Sequence, residues 1–327
     1  MLDPIGPSDR FGRRIAAVAP KSADSDGDMN VGIDERDGER GAAGGGSGHR
    51  WRPIALAALA SVLVLAPLSA AGQTASDAWP AAVHAHYKLR YNGIDVGNLN
   101  IVSTRADKSY AISGSGKLSV LFGTITWAGS SNVSGIVAAN TPQPVTYVFD
   151  WKNNRKSGAI KLGFKERVAT DVSVTPPPEQ HKDDVPLLPQ HKAGAFDPVS
   201  AMLMLTRADG RPPCERRVDI FDGKQRYGIV LSFKHKMKLP VAKGGGPAET
   251  ADVCRAMYVP VAGHRDNDAT RTYASNRDVE VVMRRVPGTA AHIPYSVSVP
   301  TAWGTGSMVT EYVEVTMAGG TKVAFGK

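Results

Sequence analysis

Two cysteines are the most reactive side chains in the sequence. Cys214 and Cys254 are the only cysteines among 327 residues, and their spacing excludes a CxxC redox motif. Both follow an apolar segment that is typical of export, and an oxidising compartment favours the bonded state of two thiols. We therefore predict a disulfide between Cys214 and Cys254. The alternatives are two separate buried thiols, or a nucleophilic cysteine, which requires a neighbouring histidine and a lowered thiol pKa.

Histidine spacing suggests a metal site at one place only. His84 and His86 alternate along a predicted strand, so their imidazoles lie on the same face. A metal would need further ligands from distant positions, because the sequence has neither an HExxH motif nor a Cys/His cluster. We interpret both histidines as exposed polar positions of an amphipathic strand and predict no metal site. The other histidines that follow the apolar segment are scattered: His181, His191, His235, His264 and His292.

Short matches to catalytic motifs are incomplete. His264-Arg265-Asp266 copies three letters of the kinase catalytic loop, but neither a glycine-rich phosphate loop nor a DFG motif accompanies it. Residues 114–119, GSGKLS, fail as a P-loop because Leu118 stands where Ser or Thr must hold magnesium. A GxSxG nucleophile elbow is absent. We therefore predict neither catalytic residues nor a cofactor, and we expect a protein that is not an enzyme.

Asp197 is better explained by local structure than by chemistry. It precedes Pro198 and the apolar letters AMLMLT. Asp is favoured at the N-cap of a helix and Pro at the first helical position. The pattern predicts a single short helix over residues 197–206, and because this helix is apolar all round we expect it to be buried against a sheet. We assign Asp197 as its cap rather than as a functional carboxylate.

The elements that must position these residues are strands. Val83, Ala85 and Tyr87 alternate with polar residues, and Asn92-Gly93 then supplies the strongest short hairpin signal. The same pattern recurs along the chain, for example on both sides of Asp222-Gly223, and predicts about a dozen strands. One-sided alternation favours antiparallel pairing. The predicted fold class is mostly β, with an antiparallel curved sheet or partial barrel and one short buried helix; a sandwich is the alternative.

The only long apolar run covers residues 54–71. Basic residues before it orient its N-terminus toward the cytoplasm, and Ser69-Ala70-Ala71 at its end fits a signal-peptidase site. We predict cleavage after Ala71 and a periplasmic protein. An uncleaved inner-membrane anchor with the chain facing the periplasm is the alternative, because 18 apolar residues lie at the lower edge of a spanning length.

The segments on either side of this run differ in composition. Residues 1–53 are rich in acidic residues and glycine, and we predict that they are disordered, as an extension from a start codon placed too early. Residues 72–327 are predicted to form a single β-rich exported domain. The formal charge of this domain is about +9, because residues 1–71 carry 8 Lys/Arg against 9 Asp/Glu and the whole chain carries +8. Its densest basic cluster is Lys234, Lys236 and Lys238, which alternate on one strand.

Five segments occur in an order that carries a family resemblance: YKLRYNGIDVGNLNI (87–101), FDPVSAMLML (196–205), FDGKQRYGIVL (221–231), CRAMYVPVAGHR (254–265) and PYSVSVPTAWGTGSMVTEYVEV (294–315). In this order the chain resembles a family of exported bacterial proteins known as domain of unknown function 3108. The resemblance implies a β-rich envelope protein and supplies no activity, substrate or catalytic residue. The meander of strands also resembles the half-barrel lipid and lipoprotein carriers of the periplasm, which is an analogy of fold alone.

Two functions fit these observations. The first is a non-enzymatic periplasmic protein that binds an apolar or amphipathic envelope ligand, such as a lipid, on the concave face of the sheet. The alternative is an envelope interaction protein whose basic surface contacts an anionic polymer, a lipid or a protein partner. We expect no nucleic-acid partner, and membrane contact only through an uncleaved leader. Residues 202–205 decide between these functions: if they fill the concavity, the first hypothesis fails.

Overall fold

The computed structural model describes residues 79–120, 123–138, 141–240 and 249–326. The chain divides into two units, Met1–Pro67 and Leu68–Lys327, and every described residue belongs to the second. The predictions for residues 1–53 and for the apolar run at 54–71 lie outside the described residues. Within the described ranges, no helix is long and apolar enough to cross a membrane.

Strands dominate the described part of the chain. The first half contains β1 (Ala82–Tyr91), β2 (Ile94–Ala106), β3 (Ser109–Val120), β4 (Ile125–Ala138), β5 (Thr141–Asn153), β6 (Ser157–Lys165) and β7 (Val168–Thr175). The second half contains β8 (Arg216–Phe221), β9 (Arg226–Lys238), β10 (Thr250–Ala262), β11 (Glu280–Arg285), β12 (His292–Thr301), β13 (Gly304–Thr316) and β14 (Lys322–Gly326). The helices are a 3-10 turn (Pro189–Lys192), α1 (Pro198–Thr206) and α2 (Asp268–Ser275).

All fourteen strands belong to one antiparallel sheet. Neighbouring strands pair in chain order within each half, and β1 joins the halves by pairing with β13. This order leaves β7 and β8 at the two edges. Between them, Ala193 pairs with Val168 of β7 and Phe196 pairs with Ile220 of β8, so the sheet is nearly closed. The predicted curved sheet or partial barrel is confirmed, and the sandwich alternative is wrong because there is no second sheet in the described residues.

Turn chemistry explains where the hairpins form. Asn92 and Gly93 both adopt positive φ, at 49° and 83°, which a two-residue hairpin turn of this kind requires. The register of β1 against β2 shifts near Gly97, which marks a β-bulge in this hairpin. In the β8–β9 turn, Asp222 Oδ1 accepts hydrogen bonds from the backbone N–H of Lys224 at 2.8 Å and Gln225 at 2.7 Å.

Helix α1 lies inside the curved sheet. Val199 and Leu203 pack against the core of β3 to β7, whereas Met204 and Leu205 pack against β8 and β9. The sheet therefore wraps around the helix and contacts both of its sides. Burial of the helix is less complete than predicted, because the four apolar residues at 202–205 all keep intermediate exposure.

The second helix, α2, was not predicted from the sequence. Its eight residues, DATRTYAS, are polar on average and make little more than two turns, which is too short for an apolar stripe to be recognised in the sequence. The available signal was at its start, where Asn267 accepts a hydrogen bond from Thr270 N–H at 2.9 Å and Asp268 occupies the first turn. Helix α2 packs beside β10 before the chain enters β11.

The structure contains the predicted disulfide. Cys214 precedes β8 and Cys254 lies in β10, and their Cα atoms are 5.1 Å apart. Both residues are buried beside Leu231 and Met283. The bond therefore links the entry to the edge strand β8 with a strand that is two positions further into the sheet.

Replacing both cysteines by alanine should lower the free energy of unfolding by about 4 kcal/mol. The estimate follows from the chain entropy of the loop that the bond closes. Urea unfolding of the oxidised protein and of the Cys214→Ala/Cys254→Ala variant measures the difference. Two free thiols in a titration of the protein released by its host would contradict the assignment.

Candidate functional site

The apolar inner face of the sheet is filled at one end and open at the other. Ile112 and Val133 face each other across β3 and β4 and are each only 4% exposed. Further along the same two strands, the facing pair Leu118 and Trp127 keeps intermediate exposure. We call these the filled end and the open end. The open end carries the β1–β2, β3–β4 and β12–β13 turns, since the paired strands run antiparallel.

A cavity of about 300 Å³ lies where α1 stops filling the interior. Its walls are almost entirely hydrocarbon, because every large side chain around it is apolar. Helix α1 contributes the inner wall, and strands β1 to β5 contribute the rest. The large lining residues are Leu89, Leu99, Ile101, Ile112, Trp127, Phe149, Val199 and Met202.

Two neighbouring cavities extend this apolar space toward the open end. One, of about 320 Å³, shares Leu89 with the first cavity and adds Val297, Val299 and Met308. The other, of about 450 Å³, shares Val299 with the second and is bounded by Tyr273 of α2. We call the three together the concavity; its first two parts are lined mainly by apolar side chains, and its third part is also lined by Gln225, Thr270 and Asn276. No His, Asp or Glu side chain lines any of the three.

Glycines make room for aromatic rings on this inner face. A Cβ atom at Gly129 would lie 2.5 Å from the ring of Trp127, so only glycine permits this ring position. At Gly116 a Cβ atom would meet Trp127 and Leu99 at 3.5 and 3.6 Å, which is ordinary contact. The cavity beside Gly116 is therefore space that a larger side chain could occupy.

A depression of about 560 Å³ lies on the other face of the sheet. The side chains that border it, among them Ser115, Lys117 and Lys152, are exposed and alternate with inward-facing residues. Charged side chains, Lys117, Asp150 and Lys152, border this depression, so volume alone is a poor guide. The inner concavity has the apolar character of a ligand site.

The N-terminus of α1 is fixed by buried hydrogen bonds. Asp197 is completely buried, and its Oδ1 accepts hydrogen bonds from the backbone N–H of Val199 at 3.0 Å and Ser200 at 2.9 Å. The Ser200 and Tyr110 hydroxyls are hydrogen-bonded to each other at 2.8 Å, which ties the helix to β3. Burial raises the pKa of the Asp197 carboxyl. The residue is a helix cap in this structure.

The C-terminus of α1 is held by a buried arginine. Arg216 is 6% exposed and donates hydrogen bonds to the backbone oxygens of Met204, Arg207 and Arg211 at 3.1 to 3.2 Å. It also donates to Asp209 Oδ1 at 2.7 Å. Helix carbonyls without a partner in the helix are thereby satisfied. Arg216 was not singled out in the sequence, where it is one of many scattered basic residues.

The other candidate residues are separated from the concavity. His84 and His86 are exposed, and His86 Nδ1 lies 3.5 Å from Glu311 Oε2. No group of three or more His, Cys, Asp or Glu side chains is arranged for metal binding in the described ranges. Within the basic cluster, Lys234 pairs with Glu280 and Lys236 pairs with Asp252 at 3.3 Å. Ion pairing therefore reduces the basic character of that strand.

Replacing Asp197 by alanine should lower the free energy of unfolding by about 1 to 2 kcal/mol, because two amides lose their acceptor. Asp197→Asn is the matched control, since it keeps an acceptor oxygen and should lose less. Urea unfolding measures both variants. Copurifying small molecules should be unchanged in each, and their loss at an unchanged melting temperature would make Asp197 a binding residue instead.

Asp209 should make stability depend on acid pH. Partial burial opposes its ionisation, but hydrogen bonds from Arg211 and the charge of Arg216 bring its pKa down to about 2. A carboxyl with a lowered folded-state pKa stabilises the fold above its unfolded pKa of about 3.9 and loses that contribution as the pH falls toward 2. Over this window, unfolding titrations should show the wild type losing about 2 kcal/mol more than Asp209→Asn. Parallel curves for the two proteins would contradict this assignment.

Comparison with known proteins gives a family but no activity. Neither a curated protein nor a solved structure matches the chain significantly. One family profile, described as Protein of unknown function (DUF3108), matches residues 86–311. The match extends from β1 to β13 and includes α1, the disulfide and most of the residues that line the concavity. The chain therefore belongs to the DUF3108 family.

Proposed function

We propose that this protein is a non-enzymatic periplasmic binding protein that holds an apolar or amphipathic envelope ligand, such as the acyl chain of a lipid. The observation that carries the proposal is the half-filled interior. Helix α1 fills one end of the curved sheet and leaves an apolar cavity beyond Val199 and Met202. Apolar surface of this kind is unfavourable in water unless a ligand or a partner covers it.

The dimensions and chemistry of the space support a ligand with a hydrocarbon part. Ligand pockets in proteins usually measure about 300 to 1,000 Å³ and are lined mainly by apolar and aromatic side chains. The cavity beside α1 measures about 300 Å³, and the two cavities that continue it measure about 320 and 450 Å³. Since the cavities follow one another along the inner face and share Leu89 and Val299, the space favours a long flexible chain over a compact polar metabolite.

The lining also argues against a catalytic role. General acid–base and nucleophilic catalysis require His, carboxylate or activated hydroxyl groups that converge on the substrate. The ionisable groups at the concavity are Arg90 and the tyrosines Tyr91, Tyr258 and Tyr273, which lie in its two outer parts. One oxygen of the buried Asp197 carboxyl, Oδ1, accepts both hydrogen bonds from the N-terminus of α1. This arrangement supports binding without chemistry.

The disulfide supports an oxidising location. Bonds between cysteines persist in the periplasm and outside cells, whereas the cytosol keeps thiols reduced. The Cys214–Cys254 bond is buried and belongs to the core beside Leu231. Together with the apolar run at residues 54–71, the bond favours export to the periplasm.

The proposal predicts that Gly116→Leu displaces the ligand. The new Cβ atom is accommodated at 3.5 to 3.6 Å from Trp127 and Leu99, so the added isobutyl group should enter the cavity. Native mass spectrometry of protein purified from its own host should detect a copurifying lipid in the wild type. Its occupancy should fall about tenfold or more in Gly116→Leu, since displaced hydrocarbon contact of about 1.4 kcal/mol corresponds to that factor.

Ser113→Leu is the matched control for this experiment. Ser113 lies on the same strand and is exposed, so the new leucine should leave the cavity unchanged. Equal melting temperatures would verify that both variants fold. A wild-type protein that carries no lipid, or two variants with equal lipid content, would overturn the proposal.

A further inference from the structure

Four large apolar side chains are exposed around the open end. Trp303 in the β12–β13 turn is 87% exposed, and Ile94, which begins β2, is 70% exposed. Ile125, which begins β4, is 50% exposed, and Tyr91, which ends β1, is 37% exposed. We call these four residues the rim. They lie on three hairpins whose turns project from the same end of the sheet.

The rim is a continuation of the apolar concavity. Tyr91 and Val120 line the cavity of about 320 Å³. Tyr91 is the cross-strand partner of Ile94, and Val120 is the cross-strand partner of Ile125. Cross-strand partners share a face of the sheet, so apolar surface extends without interruption from the cavity to the exposed tips.

Two asparagines hold the turns of the open end in place. Asn92 Oδ1 accepts a hydrogen bond from Thr305 N–H at 2.8 Å, which joins the β1–β2 turn to β13. Asn154 Oδ1 accepts hydrogen bonds from the N–H of Thr126 at 2.6 Å and its hydroxyl at 2.9 Å, which joins the β5–β6 turn to β4. The turns that carry the exposed apolar residues are therefore held in place by hydrogen bonds to neighbouring strands.

Unpaired basic side chains lie next to the rim. Arg155 and Lys156 occupy the β5–β6 turn, which Asn154 holds against β4 beside Ile125. Lys117 and Lys152 flank Ala128 on the outer face of the neighbouring strands. All four are exposed, and none forms an ion pair within the described part of the chain. This end of the molecule therefore combines protruding apolar residues with exposed basic side chains, and Asp150 is the acidic side chain that borders the same depression as Lys117 and Lys152.

We propose that the rim docks on the surface of an anionic lipid bilayer, with Trp303 and Ile94 inserted at the interface. Peripheral membrane proteins combine two contacts: aromatic and aliphatic side chains enter the interface, and lysine and arginine side chains lie beside anionic head groups. Docking would place the concavity against the bilayer, so that an acyl chain passes between them without crossing water. The transfer step rests on the proposed function, whereas docking itself does not.

Hydrogen exchange of the full chain, as cells process it, tests docking. Vesicles of phosphatidylethanolamine and phosphatidylglycerol should protect the amides of the β1–β2 and β12–β13 turns. Because exchange is read peptide by peptide, membrane contact through residues 54–71 is distinguished from contact through the rim. Vesicles of phosphatidylcholine should protect the turns less, and the difference should shrink as salt rises. An unprotected rim with both vesicle types would overturn docking, and equal protection would overturn its anionic requirement.

Matched variants separate the rim from exposed residues elsewhere. For Ile94→Ser/Trp303→Ser, the lipid concentration that gives half-maximal protection should rise about tenfold or more, because two inserted side chains are lost. Phe233→Ser, at a residue 54% exposed on β9, should have no effect. Arg155→Ser/Lys156→Ser should weaken protection by anionic vesicles, whereas Lys108→Ser/Lys165→Ser, at exposed lysines near the other end, should not. Equal behaviour of rim and control variants would refute the proposal.

Lipid content distinguishes failure of docking from failure of binding. Rim variants should keep the copurifying lipid, because the cavity beside α1 is unchanged, and Gly116→Leu should lose the lipid but keep rim protection. An unprotected rim with normal lipid content would reject docking and retain the binding function. A protected rim in a chain that never carries lipid would reject binding and retain docking. Protection by a lipid-free envelope extract, and not by vesicles, would assign the rim to a protein partner and overturn the proposal.

Discussion

A curved sheet with one apolar face must cover that face, and the means by which this chain does so governs the rest of its structure. Helix α1, which the sheet contacts on both sides, has nine residues. Nine helical residues span about 14 Å, whereas the 13 residues of β5 span about 43 Å. The helix therefore covers only part of the inner face, even allowing for strand tilt. The half-filled interior follows directly from this mismatch in length.

Placing a helix inside a sheet creates a second requirement, because both helix ends carry backbone groups without partners in the helix. Asp197 satisfies two amides at the N-terminus, and Arg216 satisfies carbonyl oxygens at the C-terminus. Both side chains are nearly or completely buried, so water cannot supply the hydrogen bonds that they make. The polar groups that a motif search could mistake for a buried site are explained by this structural role, and the cavity beyond them is left with apolar walls.

Local patterns predicted the parts of the fold that depend on neighbouring residues. Alternation and turn chemistry located the hairpins, and Asp197-Pro198 located α1, because these signals act within a few residues. The pairing of β1 with β13 could not be predicted, since it joins residues more than 200 positions apart. The cavity depends on that pairing and on the position of α1 inside the sheet. The sequence could therefore predict that apolar residues line it, but not which ones. Helix α2 was too short to be recognised, and the ion pairs of Lys234 and Lys236 depend on how β9 pairs with its neighbours in the sheet.

The strand edges of the sheet are partly covered, whereas the apolar side chains at its open end are not. Exposed strand edges invite pairing with other chains, and the segment from Ala193 to Phe196 bridges the two edge strands β7 and β8. This segment covers part of the two edges, whereas apolar side chains at one end of the sheet stay exposed. Trp303 and Ile94 gain nothing for stability from such exposure, because the hydrophobic effect rewards their removal from water. Apolar side chains that stay exposed at this end are best explained by contact with an apolar partner. The adjacent basic side chains favour an anionic lipid bilayer as that partner.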